Sequence, residues 1–139
     1  MEVQINWLAV VLATLVSMVV GYVWYAPFGF GKAWQKLARI KDGSNDKSLP
    51  WIMLRALVLG FVTAYVLNHV IQLSYAYFQL SYMQTALTTA FWMWLGFQAT
   101  LIFIHDGYEG RSLKLSSINA GYQFVTLMGM GLVFGFLLK

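Results

Sequence analysis

The chain contains no cysteine and only two prolines. Without thiols it can form neither disulfides nor thiolate metal sites, and cysteine usage gives no clue to redox compartment. Charge is scarce too. Asp, Glu, Lys and Arg make up 10% of the residues, against ~25% in soluble domains. Between Ala56 and Ile104 there is no charged residue at all. A water-soluble domain needs a solvated face on each of its elements, whereas a lipid-embedded helix needs only ~20 apolar residues to cross. The charge-free run therefore accommodates two crossings and a tight return. No GxSxG, Walker A or GxGxxG motif occurs, which removes the usual signs of a nucleophile elbow or a phosphate-binding loop.

What is present fits lipid as the solvent. The hydrophobic fraction is 60%. No Lys or Arg precedes the first apolar run, which carries Glu2 instead, so that run is expected to remain as a membrane span and not to be cleaved as a signal. The fold predicted is all-α: an integral membrane four-helix bundle in a single domain, with spans at about 5–26, 51–73, 85–104 and 115–138. A short amphipathic interfacial helix follows the first span.

Small residues recur every four positions on the first two spans, as Ala9, Ala13, Ser17 and Gly21, then Ala56, Gly60 and Ala64. Lipid offers little hydrophobic drive between helices, so close backbone approach and dispersion carry their association. These ridges predict a tightly packed hairpin of spans one and two. Gly131 and Gly135 form a minimal close-packing motif in span four.

After span one, Trp24 and Tyr25 suit the headgroup level, and Pro27 ends the helix. Phe28–Gly31 reads as a flexible turn. Lys32, Lys36 and Arg39 then share one helical face and Trp34 lies on another, the pattern of a helix lying flat on the membrane surface. The segment Lys41–Ser48 is the most loop-like in the chain, and a return segment is expected over Ser74–Gln84.

The Lys and Arg residues give the orientation. Lys32, Lys36, Arg39, Lys41, Lys47, Arg111 and Lys114 fall in the two loops that share a side, with Arg55 at the edge, while Lys139 is alone opposite. Positive short loops stay cytoplasmic, so both termini are expected outside. The clustering of basic residues beside apolar segments argues against nucleic acid as a partner.

Candidate chemistry is sparse. His69 and His105 fall near opposite membrane surfaces, ~30 Å apart, too far to share a metal. The loop holding His105, Asp106, Glu109, Arg111 and Lys114 has the groups for an acid–base or headgroup site, or is a solvated loop. Ser112, Ser116 and Ser117 read as helix caps. Asn68, Gln98, Asn119 and Gln123 within the membrane, and His69 near its outer surface, are candidate polar or ligand contacts, with Gln98 near the centre of span three. None of those within the membrane is charged, which argues against a proton-driven carrier working as a monomer.

Two groups of motifs remain. Trp24-Tyr25-Ala26-Pro27 precedes Phe30-Gly31-Lys32-Ala33-Trp34. Farther on come Glu109-Gly110-Arg111-Ser112, Lys114-Leu115 and Ile118-Asn119-Ala120-Gly121-Tyr122. Together they resemble the domain-of-unknown-function family 1761, small and mostly bacterial four-span membrane proteins. The resemblance covers nearly the whole chain and implies the same four-helix layout. It brings no substrate, reaction or catalytic residue.

The expectation is thus a bacterial inner-membrane protein in contact with membrane lipid, with neither metal nor cofactor and without a catalytic site. Small-residue seams in excess of one hairpin predict a homo-oligomer, with transport as its possible role. The alternatives are a lipid-binding protein or membrane enzyme using the 105–114 loop, and an accessory subunit of a larger complex. No protein partner is identifiable.

Overall fold

The computed structural model describes residues 5–40 and 48–138. The loop expected over Lys41–Ser48 lies, except for Ser48, outside the described residues, as do Glu2 and Lys139. Among the described residues all regular structure is helical. The helices are α1 (Trp7–Trp24), α2 (Gly31–Leu37), α3 (Leu49–Phe78), α4 (Tyr82–Met93), α5 (Thr100–Tyr108) and α6 (Leu113–Leu137). A π-helical turn, Trp94–Ala99, joins α4 to α5 without a break. Among the described residues four helical stretches are long and apolar enough to cross a membrane: α1, α3, the continuous α4–π–α5 rod and α6.

Local chemistry sets the ends. Asn6 caps α1 by accepting from the Ala9 amide at 3.1 Å, Ser81 caps α4, and Ser112 caps α6 through the Leu115 amide. Each supplies an acceptor for an amide the helix leaves unpaired. Pro50 sits in the first turn of α3, where its missing N–H is harmless. Gln79, in the left-handed region at φ 53°, stops α3.

The spans are longer than expected. α3 runs on to Phe78, so the return is only Gln79–Ser81, and Tyr75 and Tyr82 stack across it at 3.6 Å. Uncharged tyrosines are as compatible with helix as with loop, which is why the segment reads as a turn in sequence. The third rod extends to Tyr108, placing His105 and Asp106 in a helix and shrinking the expected loop to Glu109–Ser112. His69 accordingly lies well inside α3 and not at its end.

Helix α6 is the axis of the bundle, packing against α1, α2, α4 and α5, while α3 closes the other side of α1 and α4. The core is built from Ala9, Val10, Ala13, Ala64, Ala86, Ala90 and Met130, all fully buried. The expected α1–α3 hairpin is present. A methyl placed on Gly60 would come within 2.7 Å of Ser17 Oγ, so the two ridges meet where backbone is barest. Ala56, expected in that seam, is exposed. Gly21 belongs to a different contact, facing the Tyr122 hydroxyl of α6. Gly131 packs against Ala86 and Ala90, and Gly135 against Met83, so the glycine pair of α6 is used within the chain, on α4.

Candidate functional site

At the end of the bundle carrying α2 and the α5–α6 turn, charge gathers. Gly110, at φ 67°, reverses the chain. The Arg111 amide then donates to the Asp106 carbonyl at 2.9 Å. That fold-back sets the Arg111 side chain between two acids, with Nε 2.6 Å from Glu109 Oε2 and 3.8 Å from Asp106 Oδ1. Asp106 is buried, and its Oδ2 has no hydrogen-bond partner.

Beside this turn lies a cleft of about 530 Å³. Lys36 and Arg39 approach from α2 and the residues after it, and Glu109, Arg111, Ser112 and Leu115 from the α5–α6 side. Arg39, expected on the face of α2 with Lys32 and Lys36, instead falls past the helix end in the left-handed region at φ 55°. A non-glycine residue is uncommon there. Three cations thus line the cleft with one carboxylate, Glu109, while Asp106 lies behind Arg111, all at the start of a long helix whose amides and dipole add positive potential. Arg111 and Glu109 are both about half exposed, so their pair contributes only about 0–1 kcal/mol. An incoming anion can compete for the guanidinium. His105 and Lys114 are exposed and do not line the cleft.

A second constellation sits deeper. The Asn119 carboxamide oxygen accepts from Trp34 Nε1 at 3.1 Å and from the Tyr25 hydroxyl at 3.4 Å. The Tyr25 ring stands 5.1 Å from both Trp34 and Tyr122, and Trp24 packs on Phe30 at 4.6 Å. The expected anchors thus divide. Lys32 and Lys36 are exposed, whereas Trp24, Tyr25 and Trp34 are half-buried and turned onto their own bundle.

The glycines of the expected flexible turn are tightly packed. A methyl on Gly29 would lie 2.7 Å from the carbonyl oxygens of Val23 and Trp24. One on Gly31 would overlap the Tyr25 carbonyl oxygen and lie 2.8 Å from that of Ala26. Backbone oxygen cannot move aside as a side-chain tip can, so glycine is required at both positions.

The remaining candidates lie apart. Asn68 is fully buried with neither carboxamide atom partnered. His69 Nδ1 is 3.0 Å from the Tyr65 carbonyl, the satisfied arrangement typical of a helical histidine. Gln98 sits in the π turn beside a shallow groove lined by Val62, Val66, Phe97 and Leu127. Gln123 lines a cavity between α1, α3 and α6. Among the described residues no group of three or more His, Asp or Glu side chains is placed to hold a metal ion.

The stretches that meet around Asn119 are those carrying the family resemblance. The model of a family described as "Protein of unknown function (DUF1761)" matches residues 8–135. The chain belongs to the DUF1761 family. No curated protein and no solved structure matches it. In this DUF1761 chain the Trp24–Pro27 and Phe30–Trp34 motifs form one wall of a joint, and Asn119–Tyr122 forms the other.

Sequence reasoning missed Arg39's place in the cleft, which depends on a left-handed backbone. It also missed Thr126. A signal for Thr126 was present, since Asn119, Tyr122, Gln123 and Thr126 repeat at helical spacing.

Proposed function

We propose that this DUF1761 protein is an integral membrane protein of the bacterial inner membrane that binds an anionic lipid headgroup at its cytoplasmic end. The observation carrying this reading is the cleft in which Lys36, Arg39 and Arg111 converge against the single carboxylate of Glu109. A phosphodiester suits it, because guanidinium groups bind phosphate through paired, charge-assisted hydrogen bonds. The proposed orientation, with both termini outside, is supported by the same basic residues: Lys32, Lys36 and Arg39 lie between α1 and α3, Arg111 lies between α5 and α6, and Lys114 is in the first turn of α6. The role is binding, with the buried Asp106 positioning Arg111.

The test is retention of lipid by the purified protein, measured by native mass spectrometry after exchange from mixed phosphatidylglycerol–phosphatidylcholine nanodiscs. Preferential retention of phosphatidylglycerol, reduced by Arg39→Ala and Arg111→Ala but not by Lys114→Ala, supports the proposal. Equal retention of the two lipids in the natural chain sinks it.

Self-association is a second reading. Apart from the exposed Ala56, the small-residue seams are taken up inside the chain, so a contact between copies needs another surface. Gln98 favours one, because its carboxamide borders a mostly apolar groove between α3, the π turn and α6, whose other polar residue is Thr63, and amides pair across helices in lipid. A dimer mass in nanodiscs that Gln98→Leu converts to monomer would support it. A monomer in the natural chain would remove it.

A further inference from the structure

The polar residues of α6 form a line. Ser116, Asn119, Tyr122, Gln123 and Thr126 recur every three or four positions, and Ser116 and Thr126 are buried. At ~1.5 Å per residue, Thr126 lies ~20 Å along α6 from Leu113, well into the hydrocarbon. The line ends at a half-open cavity of about 220 Å³ between α1, α3 and α6, whose polar lining is Ser17, Thr63, Tyr122, Gln123 and Thr126 and whose α3 rim, at Ala56 and Leu59, is exposed. Ala56, Leu59, Gly60 and Thr63 form its α3 wall.

The hydroxyls of this lining are not equivalent. Ser17 Oγ donates to the Thr14 carbonyl at 2.6 Å, and Thr63 Oγ1 donates to the Leu59 carbonyl at 2.9 Å. Their protons are committed to their own helices, so they offer the cavity only lone pairs. Thr126, 4% exposed, has a buried hydroxyl with no partner. A hydroxyl removed from water and left unpaired is unfavourable, and apolar lipid chains cannot relieve it. An occupant that accepts a hydrogen bond from Thr126 and donates to the free lone pairs, as water does, can. The lining carries no ionised group, so it would not compensate a charged ligand. The space exceeds the ~30 Å³ that one water takes in the liquid.

We propose that this cavity is a hydrated binding site within the membrane for small, uncharged ligands that both donate and accept hydrogen bonds, of which water is the simplest. The site is independent of the headgroup cleft.

The chain has no cysteine, so single-cysteine variants report cleanly. Thr126→Cys and Val125→Cys, adjacent on α6 but facing cavity and lipid respectively, are compared in nanodiscs using a charged, water-soluble methanethiosulfonate. That reagent needs thiolate, which forms where water reaches, so Thr126→Cys should react at least ~10-fold faster. Equal rates, or a slower Thr126→Cys that reacts only after denaturation, overturn the proposal. A second measurement uses the natural chain: water-edited solid-state NMR in bilayers. Transfer from water to Thr126 and Gln123 ahead of Val125 supports hydration, and build-up no faster than at Val125 overturns it, whatever becomes of the cysteine variants.

Discussion

Asn119 and Trp34 are joined by a 3.1 Å hydrogen bond across 85 positions of sequence. The same carboxamide oxygen receives the Tyr25 hydroxyl, so one side chain of α6 fixes both the exit from α1 and the orientation of α2. The position of α2 matters because the residues at its end supply Lys36 and Arg39 to the cleft.

Replacing Asn119 with Leu leaves the indole and the phenol without their acceptor. At about 1 kcal/mol per neutral hydrogen bond, the loss should be about 1–3 kcal/mol in reversible unfolding in mixed micelles. A cycle with Trp34→Phe should show coupling, since the two side chains share one bond. Strict additivity would mean that the bond contributes nothing.

Gly31→Ala and Gly29→Ala should each reduce the yield of folded protein sharply, because the added methyl meets main-chain oxygen. Gly107→Ala should be harmless or stabilising by about 0.5–1 kcal/mol, since its methyl meets nothing within 4 Å and the residue is helical. Thermal stability of the three variants in detergent checks this contrast. Equal behaviour of Gly31→Ala and Gly107→Ala would contradict it.

Gly135→Leu should separate α6 from α4, since even a single methyl there lies 2.9 Å from Met83 Cα. The expected result is loss of monomer stability, read as a lower unfolding midpoint independent of protein concentration. A change in oligomer mass at unchanged stability would instead assign that glycine pair to a contact between copies.

Headgroup retention should be sensitive to salt. The Debye length falls from ~10 Å at 0.1 M to ~3 Å at 1 M, and Arg111 is about half exposed. Phosphatidylglycerol retention by the natural chain should therefore decline markedly over that range. Retention that is indifferent to salt would point to acyl-chain contacts as its source.

The helical character of the chain was legible because its cause is local. The charge-free stretch from Ala56 to Ile104 can only be lipid-compatible helix, and the ridges on α1 and α3 reflect helical periodicity. The ends were less legible. Ser74–Phe78 continues α3 on tyrosines that suit a helix or an interface equally, and nothing in Trp94–Ala99 announces a π turn. The site was harder still. The Asn119–Trp34 bond depends on how α2 docks, and the cleft depends on Arg39 and Gly110 adopting left-handed backbone. The requirement for Gly29 and Gly31 comes from carbonyls up to six residues earlier that only the folded turn brings near.

The inequality of the helices has a consequence for the surrounding membrane. At ~1.5 Å per residue, the 18 residues of α1 span ~27 Å and the 30 residues of α3 ~45 Å. A bilayer with a ~30 Å hydrocarbon layer cannot match both upright, so α3 must lean, project into the headgroups or thicken the lipid beside it. Arg55 lies seven residues into α3, so the helix projects its first two turns into the headgroups at the basic end, and the apolar remainder, Ala56–Phe78, is ~35 Å long, close to the hydrocarbon thickness.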